Sequence, residues 1–188
     1  MMPYTLIQLP SSIPFREMST AQLEAYRIWF HEVLPARIVE LANAVQSTPG
    51  YETWAPDATP KSLDALGRWF ETQVETRKKT AEEVEETRAK LTSSIDIPEE
   101  ELTNKTFSLA MDIGFYFSQV VLKNLPGTRW DQPRRNKRFA DFGQPVLMGF
   151  GSVPLNPIDV IVVTAYGILR HKPAGLCDLY DVWAEAKK

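Results

Sequence analysis

One cysteine and two histidines are all that this 188-residue chain sets against redox, metal and acid–base chemistry. A lone Cys177 excludes a disulfide within the chain. Zinc sites draw three or four ligands from His, Cys and carboxylates at close spacing. His31 and His171 stand in no such pattern, and there is no HExxH, no paired CxxC and no triad order. Cys177 and the two histidines can be imagined as nucleophile and base. However, Cys177 falls in an apolar helical pattern, where a buried inert thiol is the common state. Phosphate loops are missing too. Gly143, Gly149 and Gly151 lie close together without GxxxxGK[ST] or GxGxxG spacing, and read as turn glycines between short strands. The residues therefore assign no catalytic group, no metal ligand and no cofactor.

Long hydrophobic runs are also lacking. The longest, Val160 to Leu169, is interrupted by Thr164 and Gly167 and falls short of the roughly 20 residues that span a bilayer. Met1-Met2-Pro3-Tyr4 has no basic region followed by an apolar run, the layout of a secretory signal. A cytoplasmic location is expected, with no membrane partner. A net charge of −3 exerts no global pull on nucleic acid or acidic lipid. What is present is ordinary for a globular protein: 44% hydrophobic and 24% charged residues, enough for a core without staples. The patterns below predict one α+β domain, rich in helix, with one small antiparallel β-sheet.

Residues 1–18 read as an irregular arm broken by Pro3, Pro10 and Pro14. Ser19-Thr20-Ala21-Gln22 has capping-box spacing, and Leu23, Tyr26, Phe30, Val33 and Leu34 recur on one helical face. Pro35 is expected to kink or break that helix, with Ile38, Leu41, Ala42 and Val45 continuing the stripe. Thr59-Pro60 reads as N-cap and N1 of a long helix whose stripe runs Leu63, Leu66, Phe70, Val74, Ala81, Val84 and Leu91. Leu23-Glu24-Ala25 and Trp29-Phe30 match Leu63-Asp64-Ala65 and Trp69-Phe70 at an offset of 40. The match is short, so two amphipathic helices of like composition explain it better than a duplication. Ile97 to Glu101 should open a short helical turn. The most apolar helix follows, from about Asn104 to Leu122, with Phe107 on its apolar face, Phe117 and Val120 off it, and Gly114 marking a close approach. Trp130, Arg138 to Asp141 and Pro145 to Phe150 read as short strands. Residues 158–169 fit helix or strand. The Asn156-Pro157 cap decides for helix, and a last helix runs from Leu176 to Ala186.

Charge supplies the candidate sites. From Ala81 to Glu101 there are eight acids and two bases. A solvated face is the ordinary reading. The sharper one makes Glu82, Glu83, Glu85, Glu86, Glu99 and Glu100 a surface that steers a basic partner. The opposite group is Arg134, Arg135, Lys137 and Arg138, near Trp130 and Arg129. Basic residues beside an aromatic can hold phosphates and stack a base, but the patch is short and the chain acidic, so nucleic acid is not the expected partner. Tyr116 and Trp130 each carry a polar handle that needs a partner, and with Arg16 they could line a cleft serving an unrecognised enzyme site.

Several segments in order carry a resemblance: Phe15-Arg16-x-Met18-Ser19, Trp29-Phe30 with Arg37 beyond, Leu63-x-x-Leu66-x-x-Trp69, Asp112-Ile113-Gly114-x-Tyr116-Phe117, Trp130, and Pro145-Val146-Leu147-x-Gly149-Phe150. Together they resemble a family of uncharacterised bacterial cytoplasmic proteins of about this length. Small acidic α+β proteins of this kind are similar to immunity proteins that neutralise secreted bacterial toxins. The family itself brings no activity; the likeness in size and charge to immunity proteins makes a non-enzymatic protein-binding role the expectation, with a cognate toxin as the partner and the acidic run as the contact. Where the family has Gly-Glu after the Tyr-Phe pair, this chain has Ser118-Gln119, which argues further against catalysis.

Overall fold

Ser19 starts the first helix as its spacing predicts. In the computed structural model, which describes residues 4–90 and 99–187, α1 (Thr20–Gln46) opens on a complete capping box. The Ser19 hydroxyl accepts the Gln22 N–H at 3.2 Å, and the Gln22 side chain accepts the Ser19 N–H at 2.8 Å. Pro35 does not end the helix, which runs through it for 27 residues. Pro35 lies on the exposed side, where water can serve the carbonyl that loses its donor. Leu23, Tyr26, Phe30, Leu34, Leu41 and Val45 form the buried face.

The long second helix of the sequence reading is two helices with a strand between them. These are α2 (Ser62–Glu71), β1 (Thr76–Lys78) and α3 (Ala81–Lys90). Leu91, expected on the same stripe, lies outside the described residues. α2 stops where Thr72 donates its hydroxyl back to the Trp69 carbonyl at 2.7 Å in a turn, and Thr76–Lys78 then pair with a distant strand. Thr59 still serves the start of α2, since its Oγ1 accepts the Ser62 N–H at 3.3 Å, but Lys61 holds the N-cap position. The acidic turn expected at residues 97–101 is instead β2 (Glu100–Leu102), with Ile97 and Pro98 outside the described residues. β2 pairs antiparallel with β1, setting Arg77 opposite Glu101 and Lys78 opposite Glu100. Opposite charges directly across a ladder favour that register.

Thr103 caps α4 (Asn104–Asn124), the most enclosed helix, with buried residues all round its middle turns. Phe117 and Val120, expected off the buried face, are fully buried, whereas Phe107, expected on it, is 38% exposed. The circumference is covered because α1 packs on one side and α5 (Pro157–Ile168) on another. Residues 158–168 are thus helix, opened by Asn156, whose Oδ1 accepts the Asp159 N–H at 3.1 Å. α6 (Leu176–Ala186) packs against α2. A second antiparallel ladder joins β3 (Arg129–Asp131) to β4 (Val146–Met148), with Trp130 opposite Leu147. The strand expected at Arg138–Asp141 is a chain of turns. There Asn136 accepts the Arg138 N–H with its side chain and the Phe139 N–H with its carbonyl. The class is helix-rich α+β, its β part among the described residues being these two short ladders and one antiparallel bridge between Leu147 and Leu155. One core cluster centres on Trp69, Phe70, Tyr116 and Phe117 and a second on Tyr26, Phe30 and Phe115, with Ile38 and Trp130 packed against both.

Candidate functional site

The acidic residues singled out by sequence lie on α3, at Glu100 in β2 and at Glu99 just before it. α3 has its own capping box: Thr80 Oγ1 accepts the Glu83 N–H and Glu83 Oε2 accepts the Thr80 N–H at 2.8 Å. Arg77 grips Glu83 through both terminal nitrogens, and also meets Glu101. The Arg77 guanidinium holds the Glu83 carboxyl down at about 2. Arg88 pairs with Glu85, and Thr76 Oγ1 donates to Glu100. Glu82, Glu86 and Glu99 make no ion pair among the described residues and are exposed. Glu82 and Glu86 are four residues apart on one face. No α3 residue whose burial is described is buried. The local pairings hold a helix that turns Glu82 and Glu86, unpaired among the described residues, to solvent.

The basic loop is less concentrated than the sequence reading makes it. Arg134 reaches back to α1, donating to Glu24 Oε2 at 2.7 Å and to Gln132. Lys137 Nζ donates to the Arg16 carbonyl at 3.0 Å and lies over the Phe142 ring. Arg135, Lys137, Arg138 and the neighbouring Arg129 are exposed without a carboxylate partner among the described residues. Glu24 stands between Arg27 and Arg134, whose hydrogen bonds hold its carboxyl at about 2. A depressed carboxyl contributes stability above its unfolded value and loses that contribution as pH falls through the folded one. Carbon-detected NMR titration should therefore find Glu24 titrating near 2, and moving back toward 4.5 when Arg27 and Arg134 are both changed to Gln. Titration near 4.5 in the unaltered protein would mean that the pairing does not persist in solution.

Arg16, Tyr116 and Trp130 have separate surroundings. Arg16 is exposed in a short 3-10 turn (Phe15–Glu17). The Tyr116 side chain is buried, its ring against Trp54, and its hydroxyl is engaged by the Ser62 hydroxyl at 2.6 Å and the Ala58 N–H at 3.0 Å. That phenol anchors the α1–α2 loop to α4. Trp130 packs edge-on against Phe30 and His31, beside Glu24, Arg27 and Arg134. No hydrogen bond or ring contact joins the three residues to one another among the described residues. Cys177 is half-buried, and desolvation with Asp64 nearby pushes its thiol up, away from the thiolate a nucleophile needs.

One polar cluster had no sequence expectation attached to it. Asp112 on α4 is fully buried and accepts a two-pronged grip from Arg37 of α1, Nε to Oδ1 at 2.8 Å and the terminal nitrogen to Oδ2 at 2.7 Å. The Tyr4 hydroxyl donates to Asp112 Oδ2, accepts from Arg37 at 2.9 Å and meets the Ser108 hydroxyl at 2.9 Å. Ser108 in turn accepts the Ile7 N–H at 2.8 Å. The irregular arm is thereby tied down across α1 and α4. Arg37 and Asp112 lie 75 residues apart. Their only sequence signal was membership of two motif segments, with nothing to say that they pair.

No described helix is long and apolar enough to cross a membrane. Among the described residues no group of three His, Cys, Asp or Glu is placed to hold a metal ion. No protein-family model, curated protein or solved structure matches the chain.

Proposed function

We propose that this chain is a non-catalytic protein-binding module, an immunity-type protein whose α3–β2 surface occludes a basic face of a toxin. The observation that carries the reading is the state of α3. It is held by its own capping box and by Arg77, buries none of its described side chains, and shows Glu82, Glu86 and Glu99 with no ion pair among the described residues. A helix stabilised locally rather than by a core is presented for contact, and clustered charge of one sign raises the encounter rate with a complementary partner. The chain's size and acidic balance, similar to those of immunity proteins, support the same choice. The enzyme alternative is weakened by Tyr116, whose hydroxyl is already satisfied within the fold. The nucleic-acid alternative is weakened by Glu24, which neutralises Arg134.

The test is a pull-down with the tagged chain from a lysate of its native host, run beside Glu82→Lys/Glu86→Lys and, as a control, Glu185→Lys on α6. One stoichiometric partner held by the native chain and the control is expected. The double reversal should lower its association rate about tenfold at low salt, and less at high salt. A partner bound equally by all three chains sinks the α3 surface.

A further inference from the structure

Between the arm, α1, α4 and α5 lies a groove of about 390 Å³ with walls that include Leu9, Phe15, Phe30, Met111, Ile158 and Val162. No charged side chain lines it. Its size falls within the roughly 300–1,000 Å³ of small-molecule sites, which are mostly apolar with a few placed polar atoms. Of the amides at its edge, Asn156 and Gln144 are spent on each other, with Asn156 Nδ2 donating to Gln144 Oε1 at 3.0 Å and to Asp141 at 2.9 Å, while Asn104 is exposed to solvent.

Tyr26 is different. Its ring is clasped by Phe15, Trp29 and Phe30, and the residue is 8% exposed, yet its hydroxyl has no hydrogen-bond partner among the described residues. No fully enclosed side-chain polar atom lacks a partner there, so the hydroxyl is open to an accessible space. Tyr26 lines this groove. A buried tyrosine ordinarily satisfies its hydroxyl. Tyr4 and Tyr116 of this chain both do so.

We propose that the groove is a binding site for a small, uncharged aromatic or aliphatic molecule carrying one hydrogen-bonding atom, which the Tyr26 hydroxyl receives. The absence of lining charge sets the neutrality of the ligand, because an ion would be desolvated there without a counter-charge. The volume limits it to about two or three fused or linked rings. Burial pushes the Tyr26 phenol up to about 12, so it is a neutral donor and acceptor at physiological pH. The groove involves no α3 residue, so the inference stands apart from the proposed toxin surface.

The probe is phenylnaphthylamine, a neutral dye with a single N–H, compared with anilinonaphthalene sulfonate, the same molecule bearing one anionic group. The neutral dye should bind one-to-one with saturable fluorescence, and the sulfonated dye at least about tenfold more weakly. Tyr26→Phe should weaken the neutral dye about fivefold, the size of one neutral hydrogen bond. Val162→Trp should abolish binding while leaving the far-ultraviolet circular dichroism unchanged. If Val162→Trp does not fold, the unaltered protein still decides: on dye addition the Met111 ε-methyl resonance should shift and that of Met148, in β4, should not. Non-saturable binding, equal affinity for the two dyes, or a stationary Met111 methyl overturns the site. An affinity unchanged by Tyr26→Phe overturns the role given to the hydroxyl.

Discussion

Replacing Arg37 by Met should cost the protein about 3–5 kcal/mol, the largest single effect anticipated here. The reason is the carboxylate left behind rather than the ion pair removed. Asp112 is fully buried, and Arg37 supplies both of its nitrogen donors. Without them the charge keeps only the Tyr4 hydroxyl. Removing both charges with shapes of similar size, as in Arg37→Met/Asp112→Leu, should return most of the loss. The pH dependence carries a second signature. Desolvation pushes the Asp112 carboxyl up, and the Arg37 and Tyr4 hydrogen bonds oppose it. Taking away Arg37 leaves desolvation less opposed, so the folded value rises further above the unfolded one. A carboxyl raised on folding binds more protons in the folded state, and stability then falls as pH rises through that range. The deficit of Arg37→Met should therefore be smaller at pH near 5 than near 8. Urea melts at the two pH values measure it. A deficit under about 1 kcal/mol, the same at both, would show that the clamp does not hold the arm.

Gly114→Ala should destabilise by about 2 kcal/mol, against the direction of helix propensity. In an exposed helix the same change gains about 1 kcal/mol. Here a Cβ at position 114 would stand 2.8 Å from the Pro157 carbonyl oxygen and 2.7 Å from Ile158 Cδ1. The Ile158 methyl can rotate aside, but the carbonyl belongs to the first turn of α5 and cannot move without parting α5 from α4. Gly67 on α2 is the contrasting case. A Cβ there meets its nearest neighbour, Leu176, at 3.4 Å, within ordinary contact, so Gly67→Ala should be neutral or stabilising. Thermal melts of the two variants side by side separate steric from propensity effects. If Gly114→Ala melts at or above the unaltered protein, the two helices do not approach as closely as described.

Local chemistry made much of the fold legible. The Ser19–Gln22 box, the Asn156-Pro157 opening and the Leu176–Ala186 stripe each lie within a few residues and need no tertiary partner to be recognised. Where the reading went astray, a distant segment had the deciding vote. Val74 and Ala81 continue the apolar stripe of Leu63, Leu66 and Phe70, yet the helix stops at Glu71 and Thr76–Lys78 are extended. The choice fell to strand because Arg77 and Lys78 find Glu101 and Glu100 across the ladder. Phe117 is buried against expectation on a helix packed by both α1 and α5, while Phe107 near its start is left part-exposed at a groove.

The candidate sites divide in the same way. Sequence located the acidic run, since a cluster of one sign is visible in composition, and it identified Gly114 as a place of close approach. It could not say which charges are already spent. Arg77 consumes Glu83 and Glu101, and Glu24 consumes Arg134 from 110 residues away. By itself the sequence determined the helix-rich class, the absence of metal and phosphate motifs and the sign of the surface charge, because each depends on residue type and short-range spacing. Only the tertiary structure decided which charges are paired, that the Tyr116 hydroxyl is engaged within the fold while that of Tyr26 finds no partner among the described residues, and that Arg37 and Asp112 tie the arm to the core. Pairing and desolvation are properties of neighbours in space, and those neighbours are brought together by the packing of α1, α4 and α5.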